Sequence, residues 1–133
     1  MTATQTLEIS PVITRVRHAE KYVLLVSPPS RMVNHYRPPL ALMYISGFLK
    51  HKGIKSQIID SVMEDKIVRD SSFLTNRENY FSKIENDIIK KIQRIDTDVI
   101  GITCYTPEVD EVERLANRIK QVKPKAKIVA GGI

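Results

Sequence analysis

The sequence predicts an α/β protein built on a doubly wound parallel sheet. Three short apolar runs, "YVLLVS" at 22–27, "DVIGIT" at 98–103 and "AKIVAGG" at 126–132, are too short for helices and do not alternate in polarity. Such runs suit strands buried on both faces. Between them lie longer segments whose apolar residues recur at spacings of three and four, the period of a helix. Strands alternating with helices give a parallel sheet with helices on both faces and right-handed crossovers.

Each element follows in chain order. Residues 1–20 are Thr-rich and weakly patterned, and read as an irregular arm before one domain over 21–133. The first strand, 22–27, is ended by Pro28 and Pro29. A helix over 40–52 starts after Pro38 and Pro39 and is closed by Gly53, which supplies the left-handed backbone of a C-cap. "KSQIID" at 55–60 is the second strand. Residues 61–79 are polar and form a connection. A strong helix begins near Tyr80, with Phe81, Ile84, Ile88, Ile92 and Ile95 on one face. After the third strand, Thr106 is placed to cap a helix that has Pro107 at its first position and Glu108 and Glu111 in its first turn. Its buried stripe is expected to be Val109, Val112, Leu115, Ala116, Ile119 and Val122, and Pro124 stops it. The fourth strand runs into Gly131 and Gly132. Complete sheets of this class carry at least one more α-β unit. Either the sequence is truncated after its fourth strand, or one sheet edge is left bare.

Composition narrows the function. An apolar content of 42% and a charged content of 27% are those of an ordinary globular protein. No apolar run approaches the ~18 residues of a membrane span, and the N-terminus lacks the layout of a signal peptide, so the expectation is a cytoplasmic protein. The net charge is +6, but the 21 basic residues are spread along the chain among 15 acidic ones, with no basic run interleaved with aromatics. That pattern points to a solvated basic surface and not to nucleic acid. Cys104 is the single cysteine and alone holds neither zinc nor an iron–sulfur cluster.

Ligands of open α/β sheets sit beyond the carboxyl ends of the strands. The loops there are 27–39, 103–107 and 131–133. No glycine occurs between Ser27 and Leu40, which excludes the dinucleotide fingerprint and the phosphate-binding P-loop. Pro28 and Pro29 lack the N–H groups that a mononucleotide phosphate needs. A phospho-receiver needs carboxylates where Ser27-Pro28-Pro29 and Thr103-Cys104-Tyr105 stand. What remains is a mostly apolar cleft. Gly131 and Gly132 would let a bulky ligand lie against the fourth strand, or simply end it in a turn. Gly47, inside an apolar helix, packs closely on a strand or leaves room for a ligand. Thr103 and Tyr105 place a hydroxyl and a phenol at the mouth of the third strand, or pack its end.

"VIGITCYTPEVDEV" at 99–112 resembles the third strand and following helix of cobalamin-binding domains, and "IVAGGI" at 128–133 resembles their Gly-Gly turn. "RPPLALMYISGFLKHKGIKSQIID" at 37–60 resembles one branch, the N-terminal domain of cobalamin-dependent radical SAM enzymes. The resemblance covers residues 22–133 and implies a Rossmann-like domain of flavodoxin-like strand order. It also implies cobalamin as ligand, its nucleotide tail entering the cleft beside the sheet and its corrin resting on the loops. By position, Thr103 takes the place of a family Ser that hydrogen-bonds the tail, Tyr105 flanks it, and Gly131 and Gly132 let it pass. Ser27, Pro28, Pro29 and Cys104 complete the implied contact set. Many cobalamin domains carry Asp-x-His-x-x-Gly in the first loop, whose His ligates cobalt. Here the stretch is "SPPSRMV" and His35 lies further along, so the implied loop walls the lower face of the corrin without ligating the metal.

In that branch a C-terminal radical SAM domain of the same chain carries a 4Fe-4S cluster and S-adenosylmethionine on Cys-x-x-x-Cys-x-x-Cys. One cysteine cannot supply that motif, so this sequence implies the cofactor module and not the catalyst. Cys104 reads as a small strand-end residue, since no paired His suggests a nucleophile. The alternative is a non-catalytic interaction or regulatory module on the same fold that has lost its cofactor.

Overall fold

A computed structural model describes residues 22–29, 38–61 and 77–132. The expected arm at 1–20, most of the 61–79 connection and His35 lie outside the described residues. Four parallel strands form one sheet: β1 (Tyr22–Ser27), β2 (Lys55–Asp60), β3 (Val99–Thr103) and β4 (Lys127–Gly131), in the order β2-β1-β3-β4. The helices are α1 (Leu40–His51), α2 (Arg77–Arg94) and α3 (Val109–Val122). This is the doubly wound arrangement that the element pattern predicts, in the flavodoxin-like strand order that the resemblance implies. Its strand order reverses between β1 and β3, the position at which such sheets hold ligands.

Strand register sorts the side chains onto two faces. Leu24 and Val26 of β1, Ile59 of β2, and Ile100 and Ile102 of β3 join Ile84, Ile88 and Ile92 of α2 and Val112, Leu115 and Ile119 of α3 in one buried cluster. Each large apolar side chain buried there contributes roughly 1.5–3 kcal/mol. The other face carries α1. Leu25 aligns with Ile58 on one side and Gly101 on the other, and Gly101 with Val129. The hydroxyls of Ser46 on α1 and Ser56 on β2 lie 2.7 Å apart, which fixes α1 on that side. Gly101 has a packing reason, because a Cβ there would come within 3.0 Å of Leu25 Cδ2.

Caps and ties hold the elements in place. Gly53, at φ 74°, ends α1 as expected: its N–H donates to Lys50 O at 3.0 Å and that of Ile54 to Leu49 O at 2.9 Å. That pair of bonds is the Schellman motif. The buried Thr97 hydroxyl donates to Tyr22 O at 2.6 Å, tying the approach to β3 onto the start of β1.

Three local expectations are corrected. The second helix begins at Arg77, three residues before Tyr80. Thr106 does not cap the third helix. It opens a 3₁₀ turn, Thr106–Glu108, in which the Glu108 N–H donates to Tyr105 O at 2.7 Å. Pro107, with its fixed φ and missing N–H, suits that tighter turn equally well. Val109 then emerges at the first residue of α3 and is exposed, not part of the buried stripe.

Candidate functional site

The carboxyl ends of the four strands bring together most of the residues singled out by sequence. Ser27 of β1 pairs in register with Asp60 of β2, and Thr103 of β3 with Gly131 of β4. By the alternation of the strands, Ser27, Asp60 and Thr103 all belong to the α1 face of the sheet. Beyond β3 the chain turns at Tyr105, which is half exposed and stands at the rim with Val109.

The paired glycines do different things. A Cβ on Gly131 would meet nothing within 4 Å, so the strand end is open there. A Cβ on Gly132 would drive into the backbone carbonyl of Cys104. The Cys104 N–H donates to Gly131 O at 2.8 Å, holding the ends of β3 and β4 together. Gly132 therefore has a backbone reason, and Gly131 leaves space.

Other expected contacts stand further back. Cys104 packs partly against the α2/α3 core, on the opposite face from Thr103. Pro28 and Pro29 are buried and do not stand at an open rim. Gly47 lies on an exposed part of α1 with nothing within 4 Å of an added Cβ, so close packing does not explain it.

Two features were not anticipated from the sequence. Ser61 follows β2 at the same end of the sheet. It is 1% exposed, and its Oγ has no hydrogen-bond partner among the described residues. Nothing in "IIDSV" marks that serine as different from a solvated one. The second feature is an uncovered apolar expanse. Tyr44 is 80%, Phe48 61% and Val129 60% exposed, with Leu40, Met43 and Ile45 also open. Within α1 only Leu42 is buried. The mean surface of a soluble domain holds scattered apolar residues, but not a helix apolar nearly all round.

Among the described residues this end of the sheet offers an open strand end at Gly131 and the hydroxyls of Ser27 and Thr103, and they form no acid–base or nucleophile constellation. Among the described residues no group of three or more His, Cys, Asp and Glu side chains could hold a metal ion. No helix among them is long and apolar enough to cross a membrane.

Comparison with known proteins agrees with this geometry. The family described as the B12 binding domain matches residues 31–133. The chain is 29% identical over 96 residues to the anaerobic magnesium-protoporphyrin IX monomethyl ester cyclase of Rubrivivax gelatinosus, covering 72% of this chain and 14% of that protein. It is 31% identical over 115 residues to an uncharacterized methyltransferase of Pyrococcus horikoshii, covering 83% of this chain and 21% of that protein. The chain thus spans between about a seventh and a fifth of the length of these relatives. No solved structure matches. With the doubly wound sheet, the open end of β4 and the family match in agreement, the chain belongs to the B12-binding domain family.

Proposed function

We propose that the cleft at the carboxyl ends of β1, β3 and β4 holds cobalamin, and that the chain is the cofactor module of a radical SAM enzyme. The observation that carries the binding site is the vacant strand end at Gly131, paired in register with Thr103, on the face of the sheet where Val129 of β4 is also exposed. A large ligand with an apolar body and a polar periphery suits apolar walls bearing a few hydrogen-bonding groups. Thr103 bonds the nucleotide tail, Gly131 lets it lie against β4, and Tyr105 flanks it at the rim. Gly132 and Cys104 hold that strand end in shape, with Pro28 and Pro29 behind the first loop. Ser27 and the orphaned Ser61 hydroxyl bond amide groups at the edge of the corrin.

Bound cobalamin supplies a cobalt centre able to accept and release a methyl group. The module's own residues bind it, orient it and keep water from its buried tail. No His is aligned with the ligating position of the first loop, and the module holds the cofactor without a protein imidazole. The radical SAM assignment rests on the likeness of residues 37–60 to that branch, and methyl transfer on the relative named as a methyltransferase. The 4Fe-4S cluster and S-adenosylmethionine belong to a C-terminal domain, because one cysteine cannot ligate the cluster.

Titrating the intact protein with hydroxocobalamin tests the reading. A saturable spectral change at one cofactor per chain is expected, and its absence sinks the proposal. Electron paramagnetic resonance of the cob(II)alamin-loaded protein then tests the missing imidazole: nitrogen splitting from a histidine would reject that detail while leaving binding intact. The exposed apolar expanse favours one competing reading, an interaction module without cofactor. A negative titration together with a stable complex with another chain would favour it.

A further inference from the structure

The basic residues that look dispersed in the sequence converge in the fold. Every strand of a parallel sheet starts at one end, and every crossover helix finishes there. This amino-end foot lies opposite the cofactor cleft. Lys50, Lys91, Arg94 and Lys120 occupy the last turns of α1, α2 and α3. Cations in those positions complement the helix dipoles, and that alone accounts for them.

The dipoles do not account for all of the rest. Lys52 follows α1, Lys55 opens β2, Lys123 and Lys125 lie in the turn after α3, and Lys127 opens β4. Lys52 and Lys123 are the C-cap residues of α1 and α3 and still meet the helix dipoles, whereas Lys55, Lys125 and Lys127 lie outside the helices. Against the nine cations the described foot carries two carboxylates, Asp96 and Asp98. At the opposite mouth the described charged side chains are Asp60, Glu108, Asp110 and Glu111. Among the described residues the charge is polarised along the strands, basic at the foot and acidic at the opposite mouth.

We infer that the foot docks on a surface of anionic phospholipid, with the cofactor cleft turned away from it. Eight of the nine cations are lysines. Lysine is a compact hydrated point charge suited to a diffuse layer of headgroups, whereas the arginine fork suits individually placed phosphates of a nucleic acid. Phe48 is exposed beside them, with Lys52 Nζ 5.5 Å from its ring centre, and gives the face an apolar side chain that a lipid interface can take up. Lys120 contributes charge while its ammonium also bonds the Pro124 and Ala126 carbonyls. This docking is independent of whether the cleft holds cobalamin.

Co-sedimentation of the intact chain with vesicles tests it. Binding is expected to vesicles holding about 30% phosphatidylserine, and not to phosphatidylcholine alone. It should be released by roughly 0.5 M salt, where screening shortens the Debye length to a few ångströms. The triple variant Lys123→Glu, Lys125→Glu, Lys127→Glu should lose at least about tenfold in partition while remaining folded and binding hydroxocobalamin as the wild type does. No partition at low salt, or full partition of the triple variant, overturns the inference. So does a polyuridylate that strips the protein from the vesicles, since the foot would then be an RNA-binding face.

Discussion

At the scale of single residues, the double glycine shows how one sequence signal can hide two duties. "IVAGGI" announces that something close-fitting happens at the end of β4, and that much is readable without coordinates. The sequence does not say that an added methyl would strike Cys104 O at Gly132 and empty space at Gly131, because the contact comes from the residue just after β3, far away in the chain. Gly132→Ala should destabilise the protein by roughly 1–3 kcal/mol in urea denaturation, the cost of forcing bulk into a filled position. Gly131→Ala should fall within about 0.5 kcal/mol of the wild type. Ser61 offers a second test. Removing a buried hydroxyl without a partner is neutral or slightly stabilising, so Ser61→Ala should melt no lower than wild type. If that hydroxyl serves the ligand, the same variant should bind cobalamin several-fold more weakly by equilibrium dialysis.

At the scale of elements, periodicity locates α2 and α3 well but says nothing of which polar residues they bury. The stripe from Phe81 to Ile95 is buried or packed on the core, as its spacing predicts. Glu85 is 3% exposed in the middle of the same helix, and nothing in "KIENDII" separates it from a solvated acid. The reason lies on α3, where Arg114 and Arg118 stand one turn apart and reach Glu85 at 3.0 and 2.8 Å. Arg118 also donates to Asn86 Oδ1 at 2.7 Å. Both guanidiniums keep partial contact with water, so they recover solvation when the carboxylate is lost. Glu85→Ala should therefore cost about 1–2 kcal/mol, less than the loss of a fully enclosed pair. Chemical denaturation measures it. The 3₁₀ turn before α3 was hidden for a related reason. Thr-Pro suits an α-helical cap and a tighter turn alike, and the Glu108 to Tyr105 bond decides between them only in three dimensions.

At the scale of the whole molecule, the class of fold follows from alternating element types, and the strand order agrees with the resemblance. The uneven covering of the sheet was not readable. The α2/α3 face holds the main core, while α1 leaves Tyr44 and Phe48 in solvent and β4 leaves Val129 there. Stability should follow that division. Ile88→Ala should cost about 2–5 kcal/mol, as for other buried aliphatic truncations. The double variant Tyr44→Ser, Phe48→Ser should change the unfolding free energy by less than about 1 kcal/mol, because those side chains are already exposed. The apolar flank of α1 is thus free to serve a ligand at little cost to the fold.

The most direct test of the cobalamin site is to fill the space at the end of β4 and measure both binding and folding. Gly131→Leu in the intact protein should retain the wild-type melting temperature while its affinity for hydroxocobalamin, measured by equilibrium dialysis, falls at least about tenfold, the loss of some 1.4 kcal/mol of binding free energy. Wild-type affinity in a variant that remains folded would contradict the account, because a ligand that tolerates a leucine there does not lie against β4.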